Sequence, residues 1–336
     1  MRIGGRPAME QGHILGRGAR VFGAVCCALL ALLSLVWIGR DVDVTGGLPD
    51  LWWSWAGAPE SAPESPRGTS LYDPVLVCVY AVAGVTALYS TAAAGALGAA
   101  GAVTILLRAP VLWTLTADWM QHIDQDLRNR ALLFAGVGVT LGAVLLISVA
   151  AGRRPVDSAG AGYLLPDEQP PRRPTRGAAA TGLVFLAVAA LALAAWELRT
   201  AAVVGWDAYG DRLTGDGTTY TLLMPPAAYG KWAVAALCGV AAVAAARRAA
   251  LSRPLGMTAG ALVLGWGAAD TSRYLKHEVF ERFGALDTEH QLQVATGIGL
   301  LLAGFVILFA FAGRGGRDPV AEPLPRWQEP SSPPPW

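Results

Sequence analysis

Apolar residues in this chain run in unbroken blocks. They neither alternate with polar residues nor form narrow helical stripes. The blocks are Val21–Ile38, Pro74–Ser90, Gly95–Thr116, Ala131–Ala151, Ala178–Leu198, Gly230–Ala246, Pro254–Asp270 and Val294–Gly313. Each approaches the ~20 residues an α-helix needs to cross a bilayer. The pattern predicts an all-α, polytopic membrane bundle of about eight transmembrane helices. The stretch Val75–Leu107 is apolar throughout, long for one span and short for two, and Thr91–Gly98 within it suits a tight hairpin. Pro254–Asp270 is Gly-rich and only marginally hydrophobic. A signal peptide would also begin with Arg2, Arg6, Arg17 and Arg20 ahead of the first block. No small-x-small cleavage site follows Ile38, however, so the first block is expected to stay as a helix.

Charge placement supports eight spans. With the N-terminus inside, 15 Arg fall in inner segments, 8 Arg and both Lys in outer ones, and Arg108 inside a span. The acids divide 7 inside and 18 outside. Arg153, Arg154, Arg172, Arg173, Arg176, Arg247 and Arg248 are the clearest inner markers under the positive-inside rule. Taking Val75–Leu107 as one span would put them outside. The expected layout is a cytoplasmic tail (1–20), a four-helix unit (21–151), a Pro/Arg-rich cytoplasmic linker (152–177), a second four-helix unit (178–313) and a cytoplasmic tail (314–336). The expected location is the plasma membrane, with both termini cytoplasmic.

Composition narrows the function classes. Hydrophobic residues make up 54% of the 336 residues and charged residues 15%, against about 25% charged in ordinary soluble domains. That excludes a soluble enzyme, a secreted disulfide scaffold and a disordered chain. The net charge of +1 offers no field for nucleic acid. Cys26, Cys27, Cys78 and Cys238 all lie in apolar blocks without metal-ligand spacing, and are expected to be plain thiols. The excess of Arg over Lys, with abundant Ala, Gly and Pro, marks a GC-rich genome. In composition and layout the chain resembles the uncharacterised multi-pass membrane proteins of actinobacteria. That resemblance implies no activity.

The two halves share a plan: a helix, a long outer loop, a helical hairpin, an outer loop and a closing helix. Trp37–Arg40 corresponds to Trp196–Arg199, and Ala117–Asp118 to Ala269–Asp270, each pair preceded by a tryptophan (Trp113, Trp266). Four helices per unit give both units the same orientation, a parallel 4+4 repeat.

Ten of the twelve tryptophans fall at outer helix ends or in outer loops, and none at the inner interface. A one-sided anchoring belt accounts for this, and so does an outward aromatic pocket. With an acidic outer face, such a pocket would favour cationic or polyhydroxyl ligands, including glycan or lipid headgroups. Arg108 lies about five residues below Trp113, roughly 7 Å at 1.5 Å per residue. Snorkelling, an ion pair with an acid such as Glu197, and a transport role all fit that depth. Asp118 and His122, and His277 and Glu281, stand four apart, the spacing that joins side chains on a helix face. They are weak metal or acid/base candidates beside a simple interfacial helix over Thr271–Phe283. No phosphate-binding, hydrolase or zinc-protease motif is present, so no cofactor is expected. Gly138–Gly142 and Gly256–Gly260 carry the small-xxx-small spacing of close helix packing.

A non-enzymatic role is favoured: a small transporter or membrane-embedded binding or scaffold protein with an outward site. The candidate residues are Trp113, Trp266, Asp118, Asp270, Arg40, Arg199 and Arg108. The alternatives are a membrane enzyme acting on lipid-linked or envelope substrates at the outer face, and an interaction partner docking through the cytoplasmic linker. The expected partners are the bilayer and a small, glycan or lipid ligand; nucleic acid is not among them.

Overall fold

A computed structural model of the chain describes residues 13–60, 65–155, 173–216 and 221–313. The N-terminal tail before His13, most of the linker and the C-terminal tail lie outside the described residues. The structure is an all-α polytopic bundle. Its helices are α1 (Arg17–Thr45), α2 (Leu48–Trp55), α3 (Tyr72–Tyr89), α4 (Ala93–Thr116), α5 (Gln125–Ala151), α6 (Arg176–Val204), α7 (Trp206–Thr214), α8 (Ala227–Ala246), α9 (Ser252–Lys276) and α10 (Thr288–Ala312). A short antiparallel pair, β1 (His13–Leu15) with β2 (Arg153–Pro155), joins the start of α1 to the end of α5.

Seven of these helices are long and apolar enough to cross a membrane: α1, α3, α4, α5, α6, α8 and α10. Their surfaces explain the unbroken apolar blocks. Each has a buried face, and the opposite face still carries large apolar side chains such as Phe309 (77% exposed) and Leu191 (70%). Such exposure is rare on a soluble monomer and ordinary against lipid. α9 is as long but less apolar, because Gly, Asp270, Arg273 and Lys276 dilute it. It packs against α10, α8, α4 and α3, so little of it needs to face lipid.

The hairpin expected at Thr91–Gly98 is present, with its break at Ser90–Ala92. Arg20 of α1 closes it: Nε donates to Ala87 O at 2.8 Å and Nη2 to Ser90 O at 2.5 Å. These carbonyls lie at the end of α3, where helical donors run out, and Ser90 O also accepts from Ala93 N at 3.3 Å. Asp124 and Asp287 start α5 and α10 by accepting from Leu127 N and His290 N, the usual role of an N-cap aspartate.

The eight long helices pack in two closed sets. α1 packs on α3, α3 on α4, α4 on α5 and α5 on α1. In the same way α6 packs on α8, α8 on α9, α9 on α10 and α10 on α6. The sets meet chiefly through α4, α3 and α9. Glycine permits the tightest approaches. Gly101 of α4 faces Gly142 of α5, and Gly267 and Gly304 bring α9 and α10 together at Leu301 and Leu264.

The two ends of the bundle differ chemically. Arg17, Arg20, Arg153, Arg154, Arg173, Arg176, Arg247, Arg248 and Arg253 lie at one end, here the basic end. Every described acid, and every described tryptophan, lies toward the other, the tryptophan end. The interfacial helix expected over Thr271–Phe283 is not a separate element. α9 continues to Lys276, and the chain then turns at Glu278, whose φ of 53° is left-handed. A helix cannot continue through that conformation.

Candidate binding site at the tryptophan end

Three segments converge at the tryptophan end. α2 is a short amphipathic helix with Pro49 in its first turn, where the missing N–H costs nothing. The segment 65–71 leads into α3. The segment 221–226 leads into α8 and bonds to the first unit: Leu222 N donates to Arg67 O at 3.0 Å and Leu223 N to Gly68 O at 2.8 Å. Leu222 and Leu223 are fully buried beside Trp37, Val111, Leu115 and Phe134. Together with α9 these segments enclose a cavity of about 190 Å³.

The cavity has aromatic walls and polar edges. Trp55, Tyr72 and Trp266 form the walls, and Thr69, Ser70, Asp270 and Arg273 supply polar groups. Tyr72 and Trp266 meet edge-on, with ring centroids 5.9 Å apart. The Tyr72 hydroxyl and Trp266 indole N–H are both buried and lie near each other behind the ring faces, with the Tyr72 hydroxyl packed against Gly230 of α8. Arg273 Nη2 donates to Asp270 Oδ1 at 2.9 Å. Trp55 Nε1 donates to Thr69 Oγ1 at 3.2 Å.

Buried charges hold the walls. Asp41 is fully buried and accepts from Gly68 N (2.9 Å), Thr69 N (2.5 Å) and Thr69 Oγ1 (2.6 Å). Arg40 donates to Asp41 Oδ1 at 2.7 Å and lies over the Trp37 ring. Asp73 accepts from Ser70 N at 2.7 Å and pairs with Arg108, whose Nη1 donates to Leu223 O at 3.0 Å. One arginine therefore ties together the segments before α3 and before α8. Gly68 is required here, because an added Cβ would fall 2.4 Å from the Trp37 ring.

Behind Trp266 a second charged set enters the α6–α10 unit. Lys231 Nζ lies 5.9 Å from the Trp266 ring and 2.8 Å from Glu197 Oε1, with Glu197 fully buried. Tyr209 Oη donates to Glu197 Oε2 at 3.0 Å and accepts from Trp232 Nε1 at 2.7 Å. Burial pushes the Tyr209 hydroxyl above its usual pKa, and the Glu197 carboxylate adds to the shift. Tyr209 therefore remains a donor at neutral pH.

The candidate residues are not all in one place. Trp266 and Asp270 line the cavity. Arg40 and Arg108 stand one contact behind it, holding Thr69, Ser70 and Leu223. Trp113 is 43% exposed and donates to Thr214 O at 3.0 Å. Asp118 is exposed and accepts from Gln121. Arg199 pairs with Glu289 at the surface and covers the Trp196 ring. His122 bonds the Trp119 carbonyl in a 3-10 turn, while His277 and Glu281 are exposed beyond α9. Among the described residues no three His, Cys, Asp or Glu side chains converge as metal ligands. Glu197 pairs with Lys231 rather than with Arg108. Of the cysteines, Cys26, Cys27 and Cys238 are buried and Cys78 is exposed, all four free thiols.

Tyr72, Asp73, Asp41 and Lys231 did not stand out in the sequence. Asp73 lies just before Pro74 at the edge of an apolar block, where an acid looks like an ordinary outer flank. Lys231 is one of only two lysines in the chain, and that scarcity was the available signal. Compared with known protein families, curated proteins and solved structures, the chain matches none.

Proposed function

We propose that this membrane protein binds a small polyhydroxyl ligand in the cavity at the tryptophan end, as a binding protein or small transporter. The aromatic walls of the cavity, Trp55, Tyr72 and Trp266, set against the polar groups of Thr69, Ser70, Asp270 and Arg273, carry this proposal. Arg273 supplies donors and Asp270 an acceptor at the edge of the cavity. A polyol offers both kinds of group, and its C–H face stacks on indole. A cation would meet Arg273, so the cationic alternative is the weaker. The cavity is smaller than the ~300–1,000 Å³ of drug-sized sites, which points to a ligand of few carbons.

Intrinsic tryptophan fluorescence of the purified full chain, titrated with glycerol, erythritol, inositol and glucose, tests this. Saturable binding of one of the smaller polyols is expected. Trp266→Phe shrinks the aromatic wall and should weaken binding by about two- to tenfold. Absence of a saturable change with every polyol would overturn the proposal, as would a Trp266→Phe variant that binds normally.

The cavity draws its walls from both helix sets, and we infer that these sets are a parallel duplication. α1 and α6 are both 29 residues long and run in register, with Arg17 matching Arg176. Arg40 covers Trp37 at 5.6 Å, and Arg199 covers Trp196 at 5.9 Å. Each first helix is followed by a short outer helix, and each closing helix opens on an N-cap aspartate. Gly95 of α4 lies against Pro254 of α9, so the two third helices start at the same end. With the basic end in the cytoplasm, the cavity would open outward.

A further inference from the structure

A larger cavity of about 1090 Å³ lies at the basic end, between the two helix sets and away from the aromatic site. It runs along the last turns of α3, the start of α4, the start of α9 and the end of α10. Val79, Val82, Met257, Ala261 and Leu308 make its floor apolar. Tyr89 on its rim and Val82 of its floor are both exposed, so the groove is open at the side, where hydrocarbon would surround it. Water would find few polar partners on that floor, and an empty groove would forfeit dispersion contacts along its length. Acyl chains fit both conditions.

The end of the groove nearest the basic face is different. Arg17 and Arg253 line it together with Ser90 and Thr91, and among the described residues no carboxylate does. Arg17 stands exposed in the first turn of α1. Arg253 spans from the groove to the end of α10, donating to Phe311 O at 3.1 Å and Gly313 O at 2.6 Å. Beside them α4 begins without a capping side chain, so its positive dipole end adds to the same field. An apolar trough that ends in arginines at a membrane interface suits a lipid with a negative headgroup.

We propose that this groove holds one anionic phospholipid. Its acyl chains lie on Val82, Met257 and Ala261, and its phosphate lies against Arg17 beside the start of α4. To test this, the full chain is reconstituted in vesicles of phosphatidylglycerol and phosphatidylcholine and re-extracted in mild detergent. Native mass spectrometry then counts the retained lipids. Phosphatidylglycerol should be retained over phosphatidylcholine. Arg17→Gln should lower that preference about fivefold, the effect of one basic residue near an anionic headgroup, and Arg17→Lys should restore it. Ala96→Trp, which fills the groove and leaves the arginines in place, should expel the lipid. Equal retention of both lipids overturns the proposal. So does phosphatidylglycerol retention that survives Ala96→Trp, since the lipid then sits elsewhere. Because Arg17→Lys and Ala96→Trp act through different features, misfolding of one variant leaves the other decisive.

Discussion

Arg108 shows how a membrane-depth charge is settled by its surroundings. It is 2% exposed, paired with Asp73, bonded to the Leu223 carbonyl, and 5.0 Å from the Phe134 ring. Removing one partner of such a pair leaves the other charged and buried, which costs about 3–5 kcal/mol; replacing both by apolar or neutral groups costs far less. Arg108→Leu and Asp73→Asn are each expected to lower the thermal stability of the detergent-solubilised protein by that order. The double variant should recover most of the loss. Polyol binding should recover with it, because Arg108 holds the cavity's loops and does not line the cavity. A double variant that folds normally yet fails to bind would make Arg108 a direct ligand group. The sequence singled out Arg108 because charge within an apolar block is conspicuous. Its partner was hidden, because Asp73 lies 35 residues away at a block edge, where acids are unremarkable. The same holds for Asp41, which looks like an outer flank and is in fact an enclosed acceptor for four donors.

Among the helices, spacing in the chain located the elements well and their contacts less well. The α3–α4 hairpin was legible because Ala and Gly replace larger residues around Thr91–Gly98, and a turn there relieves an overlong span. The end of α9 was not legible, because Glu278 adopts a left-handed conformation that its residue type does not announce. Glycine spacing marked Gly138–Gly142 and Gly256–Gly260, and in the structure Gly142 meets Gly101 while Gly256 and Gly260 meet Phe311 and Ile307. The tightest contact, at Gly267, has no such motif, since its importance depends on how α10 is rotated against it. An added Cβ there would lie 2.1 Å from Leu301 N, a backbone atom that cannot swing aside. Gly267→Ala should therefore separate α9 from α10 and cost about 1–3 kcal/mol or more, read as a fall in the unfolding midpoint. Gly299→Ala is the control on α10. Nothing lies within 4 Å of that Cβ, and alanine is the better helix former, so its midpoint should stay level or rise. Equal loss in both variants would show that the close approach at Gly267 does not govern this interface.

For the whole molecule, the division of charge and tryptophan between two ends is the strongest organising feature, and it was readable from composition along the chain before any contact was known. The structure adds that the same division separates two cavities: an aromatic one among the acids and an apolar one ending in arginines. The proposed orientation rests on the positive-inside tendency, since arginines in short segments resist translocation and acids contribute little to it. Placing the basic end in the cytoplasm puts the aromatic cavity outside, where it can sample solutes, and sets the arginine-lined groove at the inner leaflet, which the same rule leaves rich in basic side chains. Reporters at Gln125, which is exposed at the start of α5, and at Ala312, which ends α10 at the basic end, separate the arrangements. A pair of fusions active only outside and only inside the cell should report Gln125 outside and Ala312 inside. Reversed signals would invert the molecule, bring the aromatic cavity to the cytoplasm and remove its role in outward binding. Two signals on the same side would mean that one of the helices between these positions does not cross. α9, the least apolar of the eight, would then be the one to examine first, because its glycines and its enclosure by α3, α4, α8 and α10 make it the span that lipid alone would not hold.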